Sequence, residues 1–292
     1  MERKAYVLGN TTLSVLQGGP ENGTPVVFLH GIPASANLWE TVLPYFIEKG
    51  YRVFAPDLPG YGETEVRDSP TRLKSSAYSL KGTADILAEW LVQLDIGRVW
   101  LVAHDIGGGV AQILTCDHGQ HFSHLTLSNC IVSDRWPVPA IALAKSLATI
   151  GLYPAVAMLG GMTKGQSWRE LKAAVSNPAN MTKTIARKVF WQDKVYNAKG
   201  RKAFAQHLKA LSPTQLAHYA PKLKSIELPT LLAWAEDDPN QPWEKSGQYL
   251  QSLLPNPEVK YLPNAGHFLQ LDQPKEYANL LLNWKSQQVL NP

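Results

Sequence analysis

The pattern that most constrains this chain is a repeated alternation of short apolar bursts with helical stretches. Pro25-Val-Val-Phe-Leu-His30 has Gly and Pro on both sides, the mark of a strand buried on both faces. A helical stretch from about Leu38 to Lys49 ends at Gly50, and Tyr51-Arg-Val-Phe-Ala-Pro56 is the next strand. A helix over about Ser79 to Leu94 leads into Arg98-Val-Trp-Leu-Val-Ala103. Gly107 to Thr115 starts a further helix, and Leu125-Thr-Leu-Ser-Asn129 is another buried strand. Strands of this kind, separated by helices, build a parallel sheet, so the core is α/β. Two alternating stretches, Lys4 to Leu8 and Leu13 to Gln17, add a pair of N-terminal strands across the turn former Asn10.

At Asp134 the alternation stops. From there to about Lys224 the chain has helical periodicity, punctuated by Gly160, Gly161, Pro178 and Pro213. Strands and helices resume with Pro229-Thr-Leu-Leu-Ala-Trp-Ala235, Val259-Lys-Tyr-Leu262 and a final helix near Pro274 to Lys285. The division this predicts is a core of residues 1–133 and 225–292 with a helical cap at 134–224. A length of 292 residues suits one core with an insertion better than two independent domains.

Apolar residues are 45% of the chain and charged ones 18%, which excludes disorder. The net charge is +4, and Lys and Arg are scattered along the sequence, most densely from Lys183 to Lys202. Binding to nucleic acid or to a membrane would need a concentrated basic patch, so neither is expected. Cys116 and Cys130 read as two buried thiols in a reducing compartment. The start of the chain lacks the apolar core of a signal peptide, and no apolar run approaches the ~18 residues of a membrane span. These features predict a soluble cytoplasmic protein. Its oligomeric state is left open.

Chemistry concentrates in Val102-Ala-His-Asp-Ile-Gly-Gly-Gly109. A buried strand ends, the chain turns sharply, and a Gly-rich helix begins at once. Ala103, Gly107 and Gly108 are small enough for such a bend, which exposes Asp105 to the N–H groups of the helix start. Taken alone, the segment also fits an ordinary helix N-cap. Leu29-His-Gly-Ile-Pro33, Asp57-Leu-Pro-Gly-Tyr-Gly62, Trp234-Ala-Glu-Asp-Asp238-Pro and Pro263-Asn-Ala-Gly-His267-Phe change that weighting. Together these segments resemble the α/β-hydrolase superfamily, with Asp105 at the nucleophile elbow where most members carry Ser. The resemblance implies an α/β-hydrolase fold with a mostly parallel sheet and a helical lid. It also implies Asp105 as nucleophile, Asp238 as triad acid and His267 as base, with the Ile32 and Ile106 N–H groups as oxyanion hole.

A carboxylate is already ionised at neutral pH and attacks sp³ carbon, giving an alkyl ester that histidine-activated water cleaves. The members of the superfamily with Asp here are chiefly epoxide hydrolases and haloalkane dehalogenases. Epoxide hydrolase is the leading reading, since Ile32 and Ile106 stand where one dehalogenase group grips halide with Asn and Trp. That group also takes its acid from the end of the strand before the lid, where Ser128-Asn-Cys130 offers none. Dehalogenase is the alternative, with Trp136, Trp168 and Trp191 as halide donors. A luciferase-like or ligand-binding use of the same pocket is a further one. By resemblance Tyr153 and His207 are the candidate pair that would protonate an epoxide oxygen, with Tyr196 and Tyr219 as neighbours. Trp39 and the Trp136-Pro-Val-Pro139 stretch are expected to line the pocket. The substrate expected is small, apolar and uncharged, with water as co-substrate and no cofactor. His30 is expected to hold its loop and His104 to pack beside the elbow. His118, His121 and His124 form a loop rim with no recognised metal-ligand spacing.

Overall fold

In the computed structural model, residues 1–67, 74–136 and 138–290 are described, so Pro137 of the expected pocket entrance lies outside them. The strands are β1 (Glu2–Leu8), β2 (Thr11–Gly18), β3 (Thr24–Leu29), β4 (Tyr51–Pro56), β5 (Glu65–Val66), β6 (Val99–His104), β7 (Phe122–Ser128), β8 (Thr230–Ala235) and β9 (Glu258–Leu262). They form one sheet in the order β1-β2-β4-β3-β6-β7-β8-β9, with β5 beside β2. β1, β2 and β5 pair antiparallel, and β2 meets β4 antiparallel. From β4 through β9 all pairings are parallel.

β6 shows why its sequence is apolar without alternation. Val99, Leu101 and Ala103 join one core cluster, while Trp100 and Val102 join the other, on the opposite face of the sheet. The helices of the first half of the chain are α1 (Leu43–Glu48), α2 (Lys74–Ala77), α3 (Leu80–Leu94) and α4 (Ile106–His118). The helix expected over Leu38 to Lys49 is split into a 3₁₀ turn, Ala36–Thr41, and α1. Pro44 at the second position of α1 explains the break, because proline suits a helix's first turn and not its interior.

Between β7 and β8 no strand is described. The chain there forms α5 (Pro139–Thr149), α6 (Tyr153–Met158), α7 (Gly165–Ala173), α8 (Lys183–Ala186), α9 (Ala198–Ala210) and α10 (Pro213–Tyr219). This helical insertion rests on the core partly through a cluster that joins Phe190 and Trp191 to Leu38 and Phe268. After β8 follow α11 (Gln248–Leu253), α12 (Leu269–Asp272) and α13 (Pro274–Leu290). The architecture is the α/β-hydrolase fold with a helical insertion. Strand order reverses at β3, which lies between β4 and β6, and such a switch point opens a crevice beyond the strands' carboxyl ends.

Candidate active site

The loops that meet at this crevice bring the motif residues together. Asp105 caps α4 with φ 52° and ψ −119°, a conformation that costs a non-glycine residue on the order of 1–3 kcal/mol. Backbone hydrogen bonds offset that cost. The Asp105 N–H donates to Ser128 O at 3.3 Å, and its carbonyl accepts from Gly108 N at 3.0 Å and Ile131 N at 3.3 Å. Close packing demands the neighbouring glycines. A Cβ on Gly31 would lie 2.4 Å from Asp105 Cβ, and one on Gly107 would lie 2.5 Å from His30 O.

The Asp105 side chain is only 5% exposed. Its Oδ1 accepts the Ile32 N–H at 2.8 Å, and the adjacent Ile106 N–H also favours the charged carboxylate. On the other side, Oδ2 lies 3.6 Å from His267 Nε2. Burial raises the Asp105 pKa, opposed by His267 and by these two N–H groups. His267 Nδ1 donates to Asp238 Oδ2 at 2.9 Å, which fixes the ring and leaves Nε2 facing Asp105. The other oxygen of Asp238 accepts from Asn240 N at 2.7 Å and Gln241 N at 3.0 Å. Burial pulls the His267 pKa down, but the charge and hydrogen bond of Asp238, with the charge of Asp105, outweigh it and raise the pKa.

Asn129 had no assigned role in the sequence beyond the acid it fails to supply, yet it ties this arrangement together. Its Oδ1 accepts Ala235 N at 2.9 Å, and its Nδ2 donates to His267 O at 3.1 Å. It thereby joins the ends of β7 and β8 to the histidine loop. It is buried just past the carboxyl end of β7 at φ 47°, and the sequence showed only an Asn at the end of an apolar strand. His104 Nε2 donates to His267 O at 2.8 Å, its ring 4.8 Å from that of His267. His30 links its loop to the residues after β4, accepting Leu58 N on Nε2 at 3.0 Å.

Above the carboxylate lies a cavity of about 420 Å³. Asp105, His267, Ile32 and Ile106 form its floor, and Trp136, Tyr153, Met162, Trp191 and Phe204 contribute to its walls. The Tyr153 hydroxyl contacts the Met162 sulfur at 2.7 Å, and burial pushes its pKa far up, so it stays protonated. The Trp136 indole N–H donates to Ser133 O at 2.9 Å.

Two expected pocket residues lie elsewhere. Trp39 is fully buried under the sheet, 5.1 Å from Phe28 and 6.3 Å from Tyr277 between ring centroids, because the 3₁₀ turn sends Leu38 toward the insertion and Trp39 into the core. His207 is walled off behind Phe204. Its Nδ1 bonds Tyr78 O at 3.0 Å, its ring packs on Tyr61, and burial lowers its pKa to about 3. Tyr196 is half exposed under Arg187, and Tyr219 donates to Asp117, so neither joins the cavity wall. His124 lies within β7 against Trp284, not on a loop rim. Among the described residues no group of three or more His, Cys, Asp or Glu side chains is arranged to hold a metal ion.

Residues 26–280 match the Alpha/beta hydrolase family. The chain is 28% identical over 284 residues to a haloalkane dehalogenase of Mycobacterium marinum, covering 91% of this chain and 86% of the relative. Among solved structures it is similar to the haloalkane dehalogenase DbeA of Bradyrhizobium elkani, at TM-score 0.78 and 21% identity over 98% of each chain. It is similar also to the epoxide hydrolase CorEH, at TM-score 0.75 and 19% identity over 98% of this chain and 99% of that one. At such identities the structural likeness concerns the fold alone. The chain belongs to the alpha/beta hydrolase family and is a hydrolase.

Proposed function

We propose that this hydrolase opens epoxides to vicinal diols through an ester on Asp105. In the first step a carboxylate oxygen of Asp105 bonds to an epoxide carbon, the C–O bond of the ring breaks, and the ring oxygen takes the proton of Tyr153. In the second, His267 Nε2 removes a proton from water, and the resulting hydroxide adds to the ester carbonyl carbon. The Ile32 and Ile106 N–H groups hold the oxyanion, each such donor being typically worth about 2.7–4 kcal/mol. Collapse releases the diol, and the proton on His267 returns to the Tyr153 oxygen. Asp238 keeps the proton-bearing nitrogen of His267 turned away from the water.

One observation carries the choice of epoxide. Tyr153 is the only tyrosine on the cavity wall among the described residues, and its hydroxyl has only a thioether, a weak acceptor, as partner. An O–H so placed is available to an epoxide oxygen. The apolar wall suits an uncharged substrate.

Haloalkane dehalogenation is the second reading, favoured by the name of the Mycobacterium marinum relative. It fits the same floor. Its halide donor would be Trp191, since the Trp136 N–H is committed to Ser133 and residues 32 and 106 are isoleucines. Intact mass of the His267→Gln variant tests both. Exposure to styrene oxide-type epoxides is expected to leave the mass of the whole epoxide on the protein, and no adduct from any epoxide would overturn the proposal. An adduct from bromoalkanes alone, with bromide release, would establish the second reading. Tyr153→Phe is expected to slow epoxide opening at least tenfold while sparing bromide displacement, and an unchanged epoxide rate removes Tyr153 from the reaction.

A further inference from the structure

The net charge of +4 conceals a strong division. Residues 134–224 carry 15 Lys and Arg against 3 Asp and Glu, whereas the rest of the chain carries 13 against 21. The insertion is strongly basic and the core acidic. Within the insertion, no acidic residue falls between Asp134 and Glu170, the stretch that holds α5 and α6, and none falls within α9. α9 packs against both of those helices, and its Lys202 and Lys209 are exposed. Lys164 lies against Gly160 at the end of α6. Among the described residues, Lys164, Lys202 and Lys209 have no carboxylate within salt-bridge distance.

The same helices expose apolar side chains. Ten large hydrophobic residues are strongly exposed among those described, and five of them, Leu143, Ile150, Leu152, Met158 and Leu159, fall on or between α5 and α6 or just past α6. Leu159 is 78% exposed. Leu143 both faces solvent and lines the cavity, so this apolar crest adjoins the way into the pocket.

We propose that the α5–α6 crest seats the protein on an anionic lipid surface, with the lysines of α9 and Lys164 against the headgroups. Apolar substrate dissolved in the bilayer then reaches the cavity past Leu143. An apolar edge on helices whose own and neighbouring stretches carry unpaired lysines is the pattern that holds a surface at the headgroup level. The charge division between insertion and core gives the molecule a field that can orient it as it approaches. A second copy of the chain is a poorer occupant, because two-fold pairing of this face would set its lysines against themselves. Nucleic acid would meet the lysines but leave the crest without an apolar partner.

Sedimentation with vesicles tests this without reference to the reaction. Wild-type protein at low salt is expected to bind vesicles of equimolar phosphatidylglycerol and phosphatidylcholine, and roughly tenfold more weakly to phosphatidylcholine alone. About 0.5 M salt is expected to release it, since screening then acts within a few ångströms. Ile150→Ser with Leu159→Ser, and Lys164→Glu with Lys202→Glu, are each expected to weaken binding roughly tenfold with the melting temperature unchanged. The proposal is overturned by absence of binding to the anionic vesicles, or by binding that neither pair weakens. A dimer in light scattering that Leu159→Ser dissolves, without vesicle binding, would make a second copy the occupant and overturn it too. Retention on duplex DNA in place of vesicles would do the same.

Discussion

The floor and the roof of the cavity are built on different principles. On the floor, each polar group of the site is held by a hydrogen bond from a distant part of the chain: Ile32 on Asp105, Asp238 on His267, Asn129 on the histidine loop. In the roof, the residues are mostly aromatic and aliphatic. Behind that wall the insertion buries polar groups: His207 Nε2 has no hydrogen-bond partner, and Lys194 is fully buried against Asp193, with its Nζ 5.0 Å from the centre of the Tyr61 ring. A floor of this kind fixes a reaction by geometry. A roof of this kind sets which molecules enter, and packing has many equivalent solutions there.

The sharpest division of labour is expected from the floor. Asp105→Ala should lower turnover by roughly 10⁴-fold or more, the scale seen when a nucleophile is removed, while the chain still folds. Stopped-flow turnover beside a thermal melt checks both halves, and an active variant would end the assignment of Asp105. The roof should respond the other way. Lys194→Met leaves the Asp193 carboxylate, which accepts the Gly62 N–H at 2.5 Å, buried without its counter-ion. A loss of about 3–5 kcal/mol in urea unfolding is expected. Adding Asp193→Asn should restore much of it, and a neutral single variant would mean that water already reaches the pair.

Two smaller effects sharpen the contrast. Asn129→Ala frees the histidine loop without touching substrate, so kcat should fall by roughly 10–100-fold with little change in KM. A KM effect instead would place residue 129 in the pocket. Acid should then separate two buried histidines, His207 and His30, from His267 by the sign of their titrations. Burial holds His207 at about 3 and His30 at about 4, both below the ordinary 6.5, so the unfolded chain binds more protons in that range. Stability is therefore expected to fall as pH drops below 6.5, by roughly 1.4 kcal/mol per pH unit for each histidine, down to those values. His267 has the opposite sign. Its raised pKa contributes stability present below 6.5 that is lost as pH rises through the folded value. Replacing His207 by Leu should flatten the acid limb of a melting-temperature profile, and an unchanged limb would show that His207 does not drive it.

The floor was legible in the sequence because its residues are dictated by backbone geometry. Gly31 and Gly107 are required by contacts a Cβ would break, Asp105 and Asp238 follow strands whose apolar runs announce them, and His267 lies in an Ala-Gly-His loop after β9. The roof was not, since an aromatic in a helical segment fits a cavity wall or a core equally well by pattern. Tyr153 and Trp136 are on the wall, yet Trp39 and His207 are packed away, and nothing in their spacing distinguishes them.

By itself the sequence determined most of the strands, the strandless stretch after β7 and the order of the three motif residues, because strand periodicity and tight turns are local properties of the chain. Only the tertiary structure decided that Asn129 secures the histidine loop, that Leu38 and Trp39 part to opposite sides, and that the apolar crest shares its helices with unpaired lysines. Those are matters of which side chain meets which across space, and no local preference encodes them.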